Sequence, residues 1–405
     1  MKDLLFLVHR IPYPPNKGDK IRSFHLLKYL SRHFVVHLGT FVDDPKDSEY
    51  VSHVKSFCGE SFFAPLAPSK ARIRSLTGLI TGEALSLPYY KHEAMQAWVN
   101  EIIQERQIDH VVVFSSPMAQ YVEGISMPHK VIDFVDVDSQ KWAQYGKAKA
   151  WPMSWIYRRE AEKLLQYESQ LAMNSQASVF VSKDEAALFA GLVPSVAHKV
   201  TSINNGVDSD YFSPHREYTS PYVNKAPVVV FTGAMDYWAN ADAVRWFAQD
   251  IFPQIKAAVN DAEFYIVGSR PTSDVQSLAK LPGVTVTGGV PDIRPYLAHA
   301  KLAVAPMRIA RGIQNKVLEA LAMARPVLAT SPAAEGLKVT AGQELLVADK
   351  PEAFADSAVR MLRGEVGVGL GDAGRECILA HYSWDTNLAQ FMPLLNGTAL
   401  ADNAA

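Results

Sequence analysis

One stretch of the chain decides its structural class: residues 311–329 read RGIQNKVLEALAMARPVLA. The good helix formers after the glycine predict a helix over about residues 313–324. Pro326 ends that helix, and residues 327–329 read as a buried strand. Residues 302–306, with the sequence LAVAP, read as another buried strand. The unit is therefore strand, glycine loop, helix and strand, which is the repeating pattern of an α/β protein.

The predicted helix carries a cation in its first turn. Lys316 is poorly placed for the helix dipole there, unless an anion also binds at the free N–H groups of the helix N-terminus. Glu319 lies three residues further on and shares a helix face with Lys316. The pattern indicates an anion-binding site at this end of the helix.

The same alternation of short apolar runs and helical patterns fills both halves of the chain. Strands are predicted at residues 4–8, 34–41, 111–114, 131–135 and 177–181, and again at 228–233, 264–268, 284–288, 302–305, 327–329 and 345–347. This alternation predicts an α/β fold with two Rossmann-like, doubly wound parallel sheets whose domains face each other across a cleft.

Turn residues and prolines interrupt the alternation in the middle of the chain. They place a linker at residues 206–226, between an N-terminal domain of residues 1–205 and a C-terminal domain of residues 227–375. A last helix at residues 376–396 is expected to cross back to the N-terminal domain.

The composition is that of a soluble globular protein. Of the 405 residues, 48% are apolar and 20% are charged, and the net charge of −2 gives no sign of a nucleic-acid partner. Cys58 and Cys377 lack disulfide or metal spacing, which fits a reducing compartment. No apolar run approaches the roughly 20 residues of a membrane span. We expect a cytoplasmic protein, peripheral at the inner face of the membrane.

Several segments together resemble glycosyltransferase family four, retaining enzymes with the GT-B fold. They are residues 17–22 (KGDKIR), 181–186 (VSKDEA), 204–214 (NNGVDSDYFSP), 231–237 (FTGAMDY) and 311–329. Their order and spacing extend the resemblance over about residues 2–395. Residues 131–142 (VIDFVDVDSQKW) and 310–316 (ARGIQNK) also resemble a subgroup of sugar transferases linked to bacterial exopolysaccharide and exosortase (PEP-CTERM) systems.

The resemblance implies a nucleotide-diphosphate sugar, of UDP or GDP, as the donor substrate. Glu319 matches the second of two family glutamates and would bind the donor ribose; the alternative is a surface ion pair with Lys316. The first glutamate would fall at Arg311, which either reaches a phosphate or an acidic sugar or is an exposed loop cation. Lys316 would bind the donor phosphates, where charge grows as the nucleotide leaves, and is otherwise a solvated lysine.

The other donor contacts follow from the same resemblance. The donor phosphates are assigned to Gly18, Gly233, Arg308, Arg311, Gly312 and Lys316, the ribose and base to Glu319 and Val290, and the transferred sugar to Ile313, Gln314 and Asn315. Relatives keep a second cation just after the equivalent of Gly233, and here Arg308, Arg270 and Arg294 are equal candidates to replace it. Gly233 and Gly268 each end a strand, where either a ligand or a plain turn explains the glycine.

In the N-terminal domain, Gly18 resembles the family's glycine loop beside the donor phosphates. Its neighbours Lys17, Lys20 and Arg22 would add positive potential there. Ser116 and Asp136 follow strands and are predicted to bind the acceptor, whereas Asp138 and Ser139 suit a helix cap equally well. The resemblance implies neither a metal nor a dedicated protein nucleophile, because the leaving phosphate itself helps to deprotonate the acceptor, so no catalytic residue is named.

Two basic segments, residues 70–80 and 141–159, combine Lys and Arg with large apolar side chains. They are typical either of interfacial helices that contact a membrane or a lipid-linked acceptor, or of core-packing helices with a solvent-exposed basic face. The predicted function is a retaining glycosyltransferase that acts on an exopolysaccharide or lipid-linked saccharide. A nucleotide-sugar epimerase of the same fold and a non-catalytic sugar-nucleotide-binding subunit remain open alternatives.

Overall fold

The computed structural model describes residues 1–15, 18–223, 226–310 and 313–397. The chain forms two compact units. The first unit contains residues 1–204 and 387–405, and the second contains residues 205–386. Within the described ranges, no helix is long and apolar enough to cross a membrane.

The first unit alternates strands and helices from its first residues. Its strands are β1 (Lys2–Val8), β2 (Phe34–Val42), β3 (Ser61–Pro65), β4 (His110–Phe114), β5 (His129–Val135), β6 (Ala177–Phe180) and β7 (Val200–Ser202). Its helices are α1 (Gly18–Leu30), α2 (Val51–Lys55), α3 (Pro68–Ser75), α4 (Gly78–Thr81), α5 (Ser86–Tyr89), α6 (Glu93–Arg106), α7 (Asp138–Ala148), α8 (Met153–Met173) and α9 (Lys183–Leu192). The strand order is β3-β2-β1-β4-β5-β6-β7, and every pair is parallel.

The second unit repeats this architecture. Its strands are β8 (Val228–Thr232), β9 (Glu263–Val267), β10 (Val284–Gly288), β11 (Leu302–Ala305), β12 (Val327–Ala329) and β13 (Leu346–Val347). Its helices are α10 (Trp238–Trp246), α11 (Phe252–Ala258), α12 (Ser273–Ser277), α13 (Arg294–His299), α14 (Asn315–Ala322), α15 (Ser331–Ala334), α16 (Pro351–Arg363) and α17 (Leu370–His381). The strands are again all parallel, in the order β10-β9-β8-β11-β12-β13.

These two parallel sheets with intervening helices confirm the predicted α/β class. Residues such as Val229, Val230 and Phe231 are fully buried, as the continuous apolar runs of the sequence require for strands inside a parallel sheet. The chain then passes from the second unit to the first within helix α18 (Trp384–Leu388). Helix α19 (Phe391–Leu395) follows, and its Phe391 and Leu395 are fully buried in the first unit.

The central helix of the opening stretch is shorter than the sequence predicts. Helix α14 runs from Asn315 to Ala322, not from 313 to 324. Gln314 has extended backbone angles, and Ala324 adopts a left-handed conformation with φ of 52°, so neither can continue the helix. Pro326 therefore follows a helix that has already ended.

Candidate functional site

The candidate site lies at the carboxyl edge of the second sheet. Strand order reverses between β8 and β11, and open parallel sheets bind ligands outside the carboxyl ends of their strands at such a point. Gly233 follows β8 directly, and residues 306–314 lead from β11 into α14. The helix that carries Lys316 thus begins at the strand ends where a ligand is expected.

The ends of β8 and β9 approach each other too closely for side chains. A Cβ added to Gly268 would lie 1.6 Å from the carbonyl oxygen of Gly233. A Cβ on Gly233 would lie 2.8 Å from Nδ2 of Asn240. Backbone packing alone therefore requires glycine at 268, and at Gly233 it is the buried Asn240 that fills the space.

Lys316 is half-buried and its ammonium group is held by a neutral partner. Its Nζ donates a 2.6 Å hydrogen bond to Oδ1 of Asn240. It also lies 3.7 Å from the sulfur of Met307 and 4.9 Å from the centre of the Phe231 ring. Burial lowers the pKa of Lys316 to about 8, and the charge of Glu319 opposes this shift.

Asn240 is the functional candidate that sequence reasoning missed. It is buried in helix α10, and its Nδ2 donates to the carbonyl oxygen of Ala234 at 2.9 Å while its Oδ1 accepts from Lys316. The side chain therefore fixes both the loop after β8 and the lysine of α14. A signal was present, because Asn240 lies in register with the buried Ala243 and Val244 of the same helix, where an apolar residue is the norm.

Glu319 is half-buried on the same helix, one turn after Lys316. Burial raises the pKa of its carboxyl group to about 7, and the charge of Lys316 opposes this. Within the described ranges, the two side chains do not form an ion pair, and no group lies within hydrogen-bond distance of the Glu319 carboxylate. The surface ion pair that the sequence left open is thus not what holds Lys316.

Each of the three candidate arginines is engaged by an aspartate. Arg308 binds both carboxylate oxygens of Asp242, and Arg270 lies 3.1 Å from Asp236. Arg294 binds Asp292 and stacks on the ring of Tyr211 at 3.6 Å. The loop after Gly233, which carries Asp236, therefore has a nearby cation, Arg270, which follows the neighbouring strand β9 and is distant in the sequence.

The remaining predicted donor residues lie at the start of α14 or follow β10. Ile313 and Val290 are half-buried and pack against the core of the second unit. Gln314 is the residue before α14, and Asn315 is its first residue. Arg311 and Gly312 lie outside the described residues.

The predicted residues of the first unit differ in their surroundings. Gly18 opens α1, with open space around its Cα. Ser116 is buried and no group of the described chain bonds its hydroxyl, whereas Asp136 accepts a 2.8 Å hydrogen bond from Lys141.

The positive potential expected beside Gly18 from Lys20 and Arg22 is not available. Lys20 is buried and bonds Asp47 at 2.5 Å, and Arg22 is buried and forms a two-point contact with Asp133. Both cations are neutralised inside the unit. Lys17 lies outside the described residues.

Comparison with known proteins gives a family match within the second unit. Residues 226–364 match the family model described as glycosyl transferases group 1. The match agrees with the predicted glycosyltransferase class, and the matched range contains Gly233, Asn240, Lys316 and Glu319.

A curated relative supports the same class. The chain is 28% identical over 241 residues to a GDP-mannose-dependent alpha-(1-6)-phosphatidylinositol monomannoside mannosyltransferase of Mycobacterium tuberculosis. The alignment covers 54% of this chain and 61% of the relative, so the chain spans less than two thirds of that protein.

Solved structures show that the fold is GT-B over the whole chain. Sucrose-phosphate synthase from Thermosynechococcus elongatus is 17% identical, with a TM-score of 0.69 and 98% of both chains covered. Anabaena HepE, solved in complex with UDP and glucose, is 14% identical, with a TM-score of 0.64 and coverage of 98% of this chain and 100% of that one.

Proposed function

We propose that the protein is a retaining glycosyltransferase that moves a sugar from a UDP- or GDP-linked donor to an exopolysaccharide or lipid-linked saccharide. The observation that carries the proposal is Lys316, a half-buried cation at the carboxyl edge of the second sheet, within the glycosyl transferases group 1 match, with an amide as its hydrogen-bond partner. The three candidate arginines already bind carboxylates, whereas Lys316 keeps its charge for an incoming anion.

In this proposal, Lys316 and the backbone at Gly233 bind the donor diphosphate, together with Gly18, Arg311 and Gly312. Arg308 joins them by exchanging Asp242 for a phosphate oxygen. The fixed ammonium group stabilises the charge that develops on the leaving nucleotide, which is the step such a site accelerates most. Glu319 and Val290 bind the ribose and base, and the sugar lies against Ile313, Gln314 and Asn315. Ser116 and Asp136 are proposed to bind the acceptor.

The nucleotide and the setting are also proposals. HepE was solved with UDP, and the mycobacterial relative is named for GDP-mannose, so these two nucleotides are the first to test. The proposed setting is the cytoplasmic face of the inner membrane, in an exopolysaccharide or exosortase-linked system, on the strength of residues 131–142 and 310–316.

The decisive experiment is isothermal calorimetry of UDP and GDP binding to Lys316→Ala at pH 7, where the native lysine is charged. Loss of a charge-assisted contact should weaken binding by roughly 1.5–3 kcal/mol, or about 10- to 150-fold. Lys301→Ala is the matched control, because this exposed lysine precedes β11 at the opposite edge of the same sheet. Equal affinities of wild type and Lys316→Ala would remove Lys316 from the site.

An activity assay separates transfer from the two alternatives. Release of nucleotide that depends on a saccharide or lipid-linked acceptor is the expected result. Conversion of the donor without any acceptor would indicate an epimerase. Tight nucleotide binding with neither transfer nor hydrolysis over a panel of donors and acceptors would indicate a non-catalytic subunit.

A further inference from the structure

Two segments of the first unit expose large apolar side chains to solvent. The first segment, residues 67–82, contains α3 and α4; the second, residues 139–159, contains most of α7 and the start of α8. Ile80 is 90% exposed, Trp151 is 81% exposed and Trp155 is 52% exposed. Ile73, Leu76, Tyr145 and Met153 are also exposed. Core-packing helices would bury these side chains, so the structure favours the interfacial alternative for both segments.

A side-chain bridge joins the two segments into one surface. Arg159 of α8 donates to the carbonyl oxygens of Gly78 and Glu83, at 2.6 and 3.0 Å. The next residue, Glu160, accepts from the backbone N–H groups of Leu85 and Ser86. Trp155 lies four residues before Arg159 and therefore on the same side of α8. It must project beside α4, the helix that ends one residue after Ile80.

Aromatic contacts hold the second segment in place. The centre of the Tyr157 ring in α8 lies 5.3 Å from that of Trp142 and 6.2 Å from that of Tyr145, both of which belong to α7. These contacts tie α7 to α8 on either side of Trp151, the residue at the tip of their connection. The exposed tryptophan is therefore presented by a packed helical pair and is not a frayed end.

The charged residues of the two segments are all basic. The two segments contain eight basic residues and no acidic residue, in a chain whose net charge is −2. Lys70, Arg72, Lys147 and Lys149 are exposed, and none has a hydrogen-bond or ion-pair partner in the described part of the chain. Exposed tryptophan flanked by unpaired lysine and arginine is the composition of a surface that enters the headgroup region of an anionic membrane.

We propose that this basic aromatic surface, residues 67–82 and 139–159, docks the first unit on an anionic lipid bilayer. Trp151, Trp155 and Ile80 enter the interfacial layer, and the four unpaired cations contact lipid phosphates. The proposal rests only on residues of the first unit, so it stands or falls independently of the nucleotide site in the second unit.

The test is co-sedimentation of the full chain with vesicles of phosphatidylcholine alone and of an equimolar mixture with phosphatidylglycerol. Wild type should partition at least about tenfold more strongly onto the anionic vesicles, and salt should weaken this binding. Trp151→Ala/Trp155→Ala and Lys147→Glu/Lys149→Glu should each lose about tenfold or more. Both variants should keep the nucleotide affinity of wild type.

The controls carry equivalent changes on the second unit. Val368→Ala removes another strongly exposed apolar side chain, and Lys280→Glu/Lys350→Glu reverses two other exposed charges. Both should bind vesicles as wild type does. Three results would each overturn the proposal. The wild type could fail to bind the anionic vesicles, or the tryptophan variant could bind them as strongly as the wild type does. The third is that the wild type self-associates without binding vesicles and the tryptophan variant does not self-associate.

Discussion

At the scale of single residues, the site depends on how a buried amide positions a cation. Asn240 accepts from Lys316 at 2.6 Å and donates to Ala234 at 2.9 Å, so both ends of its side chain are used. An amide is neutral, and it can orient the ammonium group without cancelling its charge. The carboxylate partners of Arg308 and Arg270 orient those cations but also neutralise them.

Asn240→Ala should weaken binding of UDP or GDP because Lys316 loses the bond that orients it. We expect a loss of about 1 kcal/mol, the scale of one hydrogen bond. Asn240→Asp should weaken binding further at pH 7, since the new carboxylate would compete with the phosphates for Lys316.

The double variant Asn240→Ala/Lys316→Ala distinguishes positioning from general damage. If Asn240 acts through Lys316, removing it in the Lys316→Ala background should change nucleotide affinity no further. Calorimetry on the four proteins of this cycle provides the measurement. Additive losses would mean that Asn240 contributes by another route.

At the scale of secondary-structure elements, the carboxyl ends of β8 and β9 are shaped by glycine. The backbone N–H of Gly233 donates to the carbonyl oxygen of Val267 at 3.0 Å, and Gly268 follows directly. The adjoining strands meet so closely that backbone atoms occupy the position of a Cβ. The strand ends that support the candidate site are therefore packed backbone against backbone.

Gly268→Ala should destabilise the second unit by roughly 3 kcal/mol or more, because its Cβ would clash with the carbonyl oxygen of Gly233 and force the strand ends apart. Gly289→Ala is the matched control: it lies in the loop after β10, where an added Cβ meets its nearest atoms at an ordinary 3.8 Å. This change should stay within about 1 kcal/mol of wild type. Denaturant unfolding of both variants measures the difference, and a mild Gly268→Ala would contradict the close approach.

At the scale of the whole molecule, the free energy of unfolding should depend on pH through one buried carboxyl group. Glu168 of α8 is 1% exposed, and neither of its carboxylate oxygens has a hydrogen-bond partner in the described chain. Burial raises the pKa of this carboxyl group from 4.5 to about 8. The folded protein therefore keeps a proton that the unfolded chain releases above its lower pKa.

The folded state binds more protons than the unfolded state between these two pKa values. The stabilisation that Glu168 contributes is therefore at its maximum below pH 4.5 and is lost as the pH rises through about 8. The loss between pH 5 and pH 8 should be on the order of 3 kcal/mol. Glu168→Gln should remove this part of the pH dependence, whereas Glu162→Gln, an exposed glutamate on the same helix, should not. Unfolding midpoints at pH 5 to 8 provide the test, and parallel curves for wild type and Glu168→Gln would contradict it.

The sequence by itself determined the α/β class, the positions of the strands other than β3 and β7, and the strand–loop–helix unit that carries Lys316 and Glu319. These features follow from apolar periodicity and local helix chemistry, which adjacent residues encode. Even there, the helix ends were misplaced by two residues, because backbone angles at Gln314 and Ala324 override their helix propensity.

Only the tertiary structure decided which groups share the site. Asn240 and Lys316 are 76 positions apart in the chain, and nothing local pairs them. The burial of Lys20 and Arg22 against Asp47 and Asp133 likewise converted expected free cations into internal ion pairs. A charge in the sequence becomes available or neutralised according to the partners that folding brings to it, and those partners lie on distant elements.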